Sequence, residues 1–243
     1  MQAARSLGLL AAPALARFGG SDVSVWLLSL AKCRPYLREC FGVLGSEERN
    51  RAHSIHHETR RSDYIAAHAL LRVKLSILSG GRVAPDAWAL QVGRHGKPHI
   101  RGASSSFNIS LSYSKEIAAL AVSRTCEIGI DVEAAPAVPC PMIPWSVLSA
   151  GECARLRAIP ESQRLTEFLR IWTLKEACSK CFGLDASRNF RDIQISLDPL
   201  ALEMEPSPGL AGAALFLHQE AVQTDHLRLI LALAAAAPSA LAV

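Results

Sequence analysis

A strict alternation of apolar and polar residues over 126–133 limits this segment to a β-strand with two different faces. Ile128, Ile130 and Val132 share the apolar face, whereas Asp131 and Glu133 share the other. Neighbours on one face of a strand are about 7 Å apart, so we expect a half-buried strand that carries two adjacent carboxylates. Taken alone, this pattern favours the solvent face of an ordinary edge strand.

The segment 165–182 has the period of an α-helix and carries a third carboxylate. Its apolar stripe consists of Ile171, Leu174, Cys178 and Cys181. Trp172, Glu176 and Lys180 lie four residues apart and therefore share a different face. Mg²⁺ prefers oxygen ligands, and lysine neutralises phosphate charge. Two carboxylates on a strand and one on a lysine-bearing helix therefore indicate a magnesium site that faces a pyrophosphate.

The composition is that of an ordinary globular protein and argues against a nucleic-acid-binding class. Of 243 residues, 50% are hydrophobic and 20% are charged, and the net charge is +4. This mild basicity suits an anionic ligand or an acidic partner, but it falls short of a nucleic-acid-binding profile. The seven cysteines lack a framework-like spacing, and no apolar run is long enough to span a membrane. We therefore expect a cytoplasmic protein with free thiols and no membrane or nucleic-acid partner.

The order of the expected elements divides the chain into two similar halves. Residues 1–21 form an N-terminal extension that we expect to be poorly ordered, and the halves span 22–124 and 125–243. Each half contains a strand, a Ser-capped helix, a long helix that ends at glycine, and a hairpin. A duplicated α+β unit of this kind would place a ligand site between its copies, and one chain would supply both as a monomer.

Several motifs, in this order along the chain, resemble the Sfp-type 4′-phosphopantetheinyl transferase family. The most specific are Gly-Ile-Asp-Val-Glu at 129–133 and Trp-Thr-Leu-Lys-Glu-Ala at 172–177. The resemblance covers roughly 22–235 and also includes Val25-Trp26, the arginine-rich segment at 49–61, Gly96-Lys97-Pro98, Phe107-Asn108-Ile109-Ser110, Lys180 and Gly183.

The resemblance implies a pseudo-dimeric α+β fold with the active site in the cleft between two similar α/β subdomains. It also implies transfer of the 4′-phosphopantetheine arm of coenzyme A to a serine of an acyl or peptidyl carrier protein, with release of adenosine 3′,5′-bisphosphate. Asp131, Glu133 and Glu176 would be the ligands of the Mg²⁺ cofactor. Glu176, directly or through a water, would help to deprotonate the serine, and Lys180 would neutralise or protonate the leaving phosphate.

Further residues are candidates for binding the substrate coenzyme A. The resemblance assigns Arg49, Arg60 and Arg61 to the 3′-phosphate, and Lys97 and Pro98 to the nucleotide end. The remaining candidates are Asn108, Ser110, Ser112 and Lys175. The open alternatives are that the arginines form a solvated helix face and that Asn108 and Ser110 only stabilise the turn and hairpin. His68 lies on the apolar stripe of the helix expected at 62–78, which favours a core histidine.

The chain departs from the family at Leu111, where the family has a phosphate-contacting histidine. Leucine cannot donate a hydrogen bond, and loss of a charge-assisted bond costs on the order of 1.5–3 kcal/mol, or roughly ten- to a hundredfold in affinity. A degenerate, non-catalytic family member that binds coenzyme A or a carrier protein is therefore the alternative. The candidates to compensate are Ser110, Ser112, Tyr113 and Lys115.

Overall fold

Two antiparallel sheets lie between two long helices, so the chain forms four layers in the order helix, sheet, sheet, helix. The larger sheet contains, in spatial order, β1 (Ala11–Phe18), β2 (Ser21–Ser29), β6 (Ile117–Ser123) and β5 (Asn108–Ser114). The smaller sheet contains β10 (Ala214–Gln223), β11 (Arg228–Ala237) and β7 (Glu127–Ala134). The computed structural model describes residues 11–18, 21–93, 97–101, 107–135, 142–184, 190–203, 214–224 and 226–237.

The elements of the first half place the long helix after a series of short ones. They are β1 (Ala11–Phe18), β2 (Ser21–Ser29), α1 (Leu30–Cys33), α2 (Leu37–Gly42), α3 (Ser46–Ser54), α4 (Glu58–Leu78), β3 (Leu90–Val92), β4 (Pro98–Ile100), β5 (Asn108–Ser114) and β6 (Ile117–Ser123). Helix α4 is followed by two glycines with positive φ, Gly80 and Gly81, as the sequence indicates.

The second half begins with the acidic strand and ends in the longest hairpin. Its elements are β7 (Glu127–Ala134), α5 (Ala150–Ala158), α6 (Glu161–Phe182), β8 (Gln194–Leu197), β9 (Leu200–Glu203), β10 (Ala214–Gln223) and β11 (Arg228–Ala237). Helix α6 ends at Gly183, whose φ of 63° is the left-handed conformation that glycine adopts at low cost.

Strand β1 occupies residues that the sequence analysis left in a poorly ordered extension. Ala11–Phe18 pairs with β2 in an antiparallel ladder that runs from Ala11 opposite Leu28 to Phe18 opposite Ser21. The segment is dominated by alanine and shows no period of two, so side-chain pattern gives no sign of a strand. Backbone hydrogen bonding to β2 does not depend on that pattern.

Each half contains a short helix whose third residue is a buried glutamate that contacts the long helix. In α3, Glu48 accepts a hydrogen bond from the N–H of Gly45 and pairs with Arg72 of α4. In α5, Glu152 accepts from the N–H of Ser149 and pairs with Lys175 of α6. Both glutamates thus accept from the backbone N–H of the N-cap residue and neutralise a buried cation of the next helix. The capping box is reciprocal only in α5, where Ser149 also accepts from the N–H of Glu152.

The alternation suggests a strand that is buried on one face, but β7 is buried on both. Ile128, Ile130 and Val132 pack in an apolar cluster between the two sheets. The acidic face is covered by α6, and Asp131 is only 4% exposed. The solvent-face interpretation of this strand is therefore wrong, because a helix that the local pattern cannot reveal lies against it.

Candidate active site

The acidic face of β7 lies unusually close to helix α6 because Gly129 has no side chain. A Cβ at this position would lie 2.9 Å from the carbonyl carbon of Ala177, and nearer still to that residue's oxygen and to the N–H of Cys181. Backbone therefore touches backbone at this point. The contact brings Glu176 and Lys180 of the helix beside Asp131, two residues further along the strand.

Asp131 is the most buried of the three carboxylates and has one oxygen without a partner. Its Oδ1 accepts hydrogen bonds of 2.7 Å from Ser112 Oγ and of 2.7 Å from Lys180 Nζ. Its Oδ2 is buried, and no hydrogen bond from the described residues reaches it. An unsatisfied buried oxygen of this kind is costly unless a cation or a donor completes it.

Glu133 and Glu176 lie beside Asp131 and are both held in an environment that disfavours negative charge. Burial raises the pKa of Glu133; Asp131 raises it further, whereas a hydrogen bond of 2.8 Å from Ser114 opposes the shift. Burial also raises the pKa of Glu176, which Lys180 opposes and the charges of Asp131 and Glu133 reinforce. The three carboxylates therefore repel one another in a partly dehydrated setting.

Lys180 is the cation of this group. Its ammonium lies 2.7 Å from Asp131 Oδ1 and 3.9 Å from Glu176 Oε2, and it also donates to the carbonyl of Ile130 at 3.3 Å. Its side chain is one quarter exposed. The structure thus brings together all four residues that the two acidic motifs single out.

The donor chemistry of these carboxylates suits a hard divalent cation, although they do not form a finished ligand cage. Among the described residues, no three His, Cys, Asp or Glu side chains are grouped so that they could hold a metal ion. Asp131 turns one oxygen to Ser112 and Lys180, and Glu133 turns one to Ser114. The orphaned Asp131 Oδ2 and the mutual repulsion of the acids are the features that Mg²⁺ would relieve.

Polar residues of β5 join this strand to β7 along their neighbouring edges. Asn108 donates to the carbonyl of Cys126 at 2.7 Å, and Ser110 accepts from the N–H of Ile130 at 3.0 Å. Ser112 and Ser114 donate to the two carboxylates of β7. Asn108 and Ser110 therefore contact the backbone at β7, which is a structural contact but not one within the hairpin, while Ser112 orients Asp131.

Ser114 is a site residue that the sequence analysis did not select. It follows Ser110 and Ser112 at a spacing of two, so strand alternation places the three hydroxyls on one face. That regularity was the available signal. Its partner, Glu133, could not be inferred, because the register of β5 beside β7 is not encoded within either strand.

Lys175 lies away from the carboxylates, in the core of the second half. It is fully buried, and its ammonium contacts Glu152 Oε2 at 2.5 Å and the carbonyls of Phe190 and Val147 at 2.7 and 3.1 Å. Every donor of the ammonium thus has a partner inside the protein. The structure does not bring Lys175 to the site that contains Glu176, because consecutive helical residues point about 100° apart.

The predicted coenzyme A residues are dispersed. Lys97 pairs with Glu127 at 3.1 Å, and Lys97, Pro98 and Asn108 line a pocket of about 420 Å³; Gly96 lies outside the described residues. Arg49 donates to the carbonyl of Gly42 at 2.8 Å. Arg60 is exposed and Arg61 is partly buried.

A second pocket, of about 500 Å³, lies against Leu111. It contains Tyr113 of β5, Tyr64 and His68 of α4, and Glu48 and Arg51 of α3. His68 is 8% exposed, as a core histidine would be, but its ring also lines this pocket.

Comparison with known proteins agrees with the motifs. The profile of the 4′-phosphopantetheinyl transferase superfamily matches residues 127–221, which include β7 and α6. The 4′-phosphopantetheinyl transferase HetI of Nostoc sp. is 31% identical over 182 residues, or 73% of this chain and 75% of that protein.

The 4′-phosphopantetheinyl transferases AcpT of Salmonella typhimurium and Escherichia coli K12 are 37% and 35% identical to the chain. Each match covers 51% of this chain, and it covers 60% and 59% of the two proteins, respectively. The chain belongs to the 4′-phosphopantetheinyl transferase superfamily. Within the described part of the chain, no helix combines the length and apolar character needed to cross a membrane.

Proposed function

We propose that the protein transfers the 4′-phosphopantetheine arm of coenzyme A to a serine hydroxyl of an acyl or peptidyl carrier protein in a Mg²⁺-dependent reaction. Membership of the superfamily supports the reaction class. The observation that carries the proposal is the grouping of Asp131, Glu133, Glu176 and Lys180 between β7 and α6. In this reaction the serine oxygen attacks a pyrophosphate phosphorus, and adenosine 3′,5′-bisphosphate leaves.

We also propose that the chain consists of two similar halves and that the site lies between them. It is supported by the repeated glutamate at the third position of α3 and of α5, each paired with a cation of the following long helix. Each of those helices is 21 or 22 residues long and covers one sheet. Such a repeat within one chain would make the protein active as a monomer.

The three carboxylates would have different roles, which depend on their surroundings. Asp131, Glu133 and Glu176 would hold Mg²⁺, which supplies Lewis-acid neutralisation of the pyrophosphate when bound. Glu176 would also accept the proton of the serine, directly or through a water, because it lies beside Asp131 and Lys180 in the acidic group. Lys180 would donate to the leaving phosphate, because an ammonium can supply both charge and a proton.

The test is to incubate the protein with coenzyme A, Mg²⁺ and an apo-carrier protein and to measure the mass of the carrier. We expect a mass gain that corresponds to one phosphopantetheine arm, and failure with every one of several acyl and peptidyl carriers would reject the proposal. Asp131→Asn keeps the side-chain shape but removes the charge, so we expect turnover to be lost while the folded state remains.

A matched control removes a carboxylate of helix α6 at a distance from the site. Glu167 of α6 pairs with Arg155 and Arg170 at 2.9 and 3.0 Å, so Glu167→Gln should leave transfer nearly unchanged. Equal losses in Glu167→Gln and Asp131→Asn would mean that the general stability of the fold, and not the carboxylate of Asp131, determines turnover.

A second candidate function is binding of coenzyme A or a carrier protein without turnover, which Leu111 favours. A titration calorimetry signal with coenzyme A, combined with no mass gain on any carrier, would favour it over transfer.

A further inference from the structure

In the pocket beside Leu111, the side chain of His68 is held in place by its neighbours, and one of its two ring nitrogens is left for a further contact. Leu111 and Tyr113 of β5 form one side of the pocket, and Tyr64 and His68 of α4 also line it. The rings of Tyr64 and His68 lie 4.0 Å apart between centroids at an angle of 30°, so Tyr64 restricts rotation of the imidazole. A phosphate that cannot bind a leucine can therefore still meet an imidazole in the same pocket.

Glu48 determines which nitrogen of His68 carries a proton. His68 Nδ1 lies 2.8 Å from Glu48 Oε1, while Glu48 Oε2 accepts from the N–H of Gly45 and from Arg72. Burial raises the pKa of Glu48, but His68, Arg72 and the N–H of Gly45 outweigh it, and the net pKa is below the ordinary value. The carboxylate is therefore ionised at neutral pH, and Nδ1 donates to it.

The second ring nitrogen, Nε2, remains available. Within the residues that the structure describes, the contact with Glu48 is the one hydrogen bond of the imidazole. Nε2 is therefore the ring nitrogen that is left for a ligand in this pocket. Arg51 lines the same pocket and supplies a cation there, next to Glu47. This combination suits a phosphate group beside an apolar and aromatic wall.

Two of the four residues that the sequence offers as substitutes for a histidine at position 111 are committed elsewhere. Ser110 accepts from the N–H of Ile130, and Ser112 donates to Asp131. Lys115 lies in the exposed turn between β5 and β6, with a φ of 50°. Tyr113 lines the pocket, and burial raises its pKa, so its hydroxyl stays neutral: it can donate a hydrogen bond but brings no positive charge.

We propose that His68 supplies, from helix α4, the phosphate-contacting imidazole that position 111 lacks. This role rests on the proposed function, because the phosphate is one of those of coenzyme A. Leu111 then forms the apolar wall of the pocket, and His68 Nε2 contacts the phosphate while Glu48 orients the ring. The specificity of this chain for its nucleotide substrate thus depends on the helix and not on the strand.

The test compares two substitutions that each retain one nitrogen of the imidazole. His68→Asn places an amide N–H near the position of Nδ1, so it preserves the contact with Glu48 and removes Nε2. His68→Gln places its amide near the position of Nε2 and loses the contact with Glu48. Affinity is measured by titration calorimetry with coenzyme A, 3′-dephospho-coenzyme A and adenosine 3′,5′-bisphosphate, and folding by thermal denaturation.

We expect His68→Asn to melt within a few degrees of the wild type and to bind coenzyme A roughly ten- to a hundredfold more weakly, since one charge-assisted bond is lost. His68→Gln should retain more of the affinity. A loss for coenzyme A but not for the dephospho form identifies the 3′-phosphate as the group bound, and a loss for both identifies the pyrophosphate. Adding Leu111→His to His68→Asn should restore binding, which a purely structural role for His68 would not allow.

Unchanged affinity of His68→Asn for all three ligands would overturn the role of His68. So would a loss that follows the melting temperature and is not rescued by Leu111→His. Failure of the proposed function is distinguishable: the wild type would bind coenzyme A through His68 and yet transfer nothing to any carrier.

Discussion

The close contact between β7 and α6 allows a quantitative prediction for Gly129→Ala. The added Cβ would lie 2.9 Å from the carbonyl carbon of Ala177, whereas carbon atoms in contact are about 3.5 Å apart or more. That pair alone requires a separation of about 0.6 Å. The oxygen of Ala177 and the nitrogen of Cys181 are nearer and belong to the backbone, so helix and strand must separate by on the order of 1 Å.

Such a separation acts directly on the site. It would stretch the 2.7 Å bond between Lys180 and Asp131 beyond hydrogen-bonding distance and move Glu176 away from the strand. Misplacement of reacting groups by about 1 Å can lower the rate about a hundredfold, and overpacking of a core typically costs about 1–3 kcal/mol. We therefore expect kcat for transfer to fall about a hundredfold and the unfolding midpoint in urea to fall as well.

The assay is the initial rate of transfer of a fluorescent coenzyme A derivative to an apo-carrier protein, with urea denaturation in parallel. Gly151→Ala is the control, because its Cβ would meet only the Gln194 side chain, at 3.6 Å or more. It should leave both quantities nearly unchanged. A Gly129→Ala variant with kcat within about twofold of the wild type, even one of lower stability, would mean that the distance between strand and helix does not position the reacting groups.

Two further predictions concern buried charges. Lys175→Met leaves Glu152 buried without its cation, so the free energy of unfolding in guanidinium should fall by about 3–5 kcal/mol. Adding Glu152→Gln should recover part of this loss. A loss below about 1 kcal/mol in Lys175→Met would contradict the pairing. The raised pKa of Glu176 means that the folded state binds its proton more tightly than the unfolded state, so this group costs stability as pH rises above 4.5. Glu176→Gln should therefore raise the melting temperature of the metal-free protein at pH 7 but not at pH 4, and equal melting temperatures at pH 7 would contradict the shift.

The sequence predicts those parts of the fold that depend on local periodicity. The acidic strand expected at 126–133 is found at Glu127–Ala134, and the helix expected from the period over 165–182 is found at Glu161–Phe182. Ser149 caps α5 through a capping box, as its spacing with Glu152 indicates. Local pattern suffices here because each element is specified within its own residues.

The parts that could not be predicted depend on contacts between distant segments. The helical period separates Lys175 from Glu176, but only the fold shows that Lys175 meets Glu152, 23 residues earlier in the chain. Likewise, the apolar stripe correctly indicates a buried His68 but does not show that its ring borders a pocket shared with Leu111. Burial and access to a ligand are different properties, and periodicity reports only the first.

The meeting of β5 and β7 has a consequence for how the protein avoids self-association. Each of these strands is the outermost strand of its sheet, and an open edge is a template for pairing with another chain. Here the two edges lie beside each other, and side chains such as Ser110 occupy the backbone groups that a foreign strand would use. Each half therefore covers the open strand edge of the other. A fragment cut after residue 124 would expose the edge of β5 and be prone to aggregate.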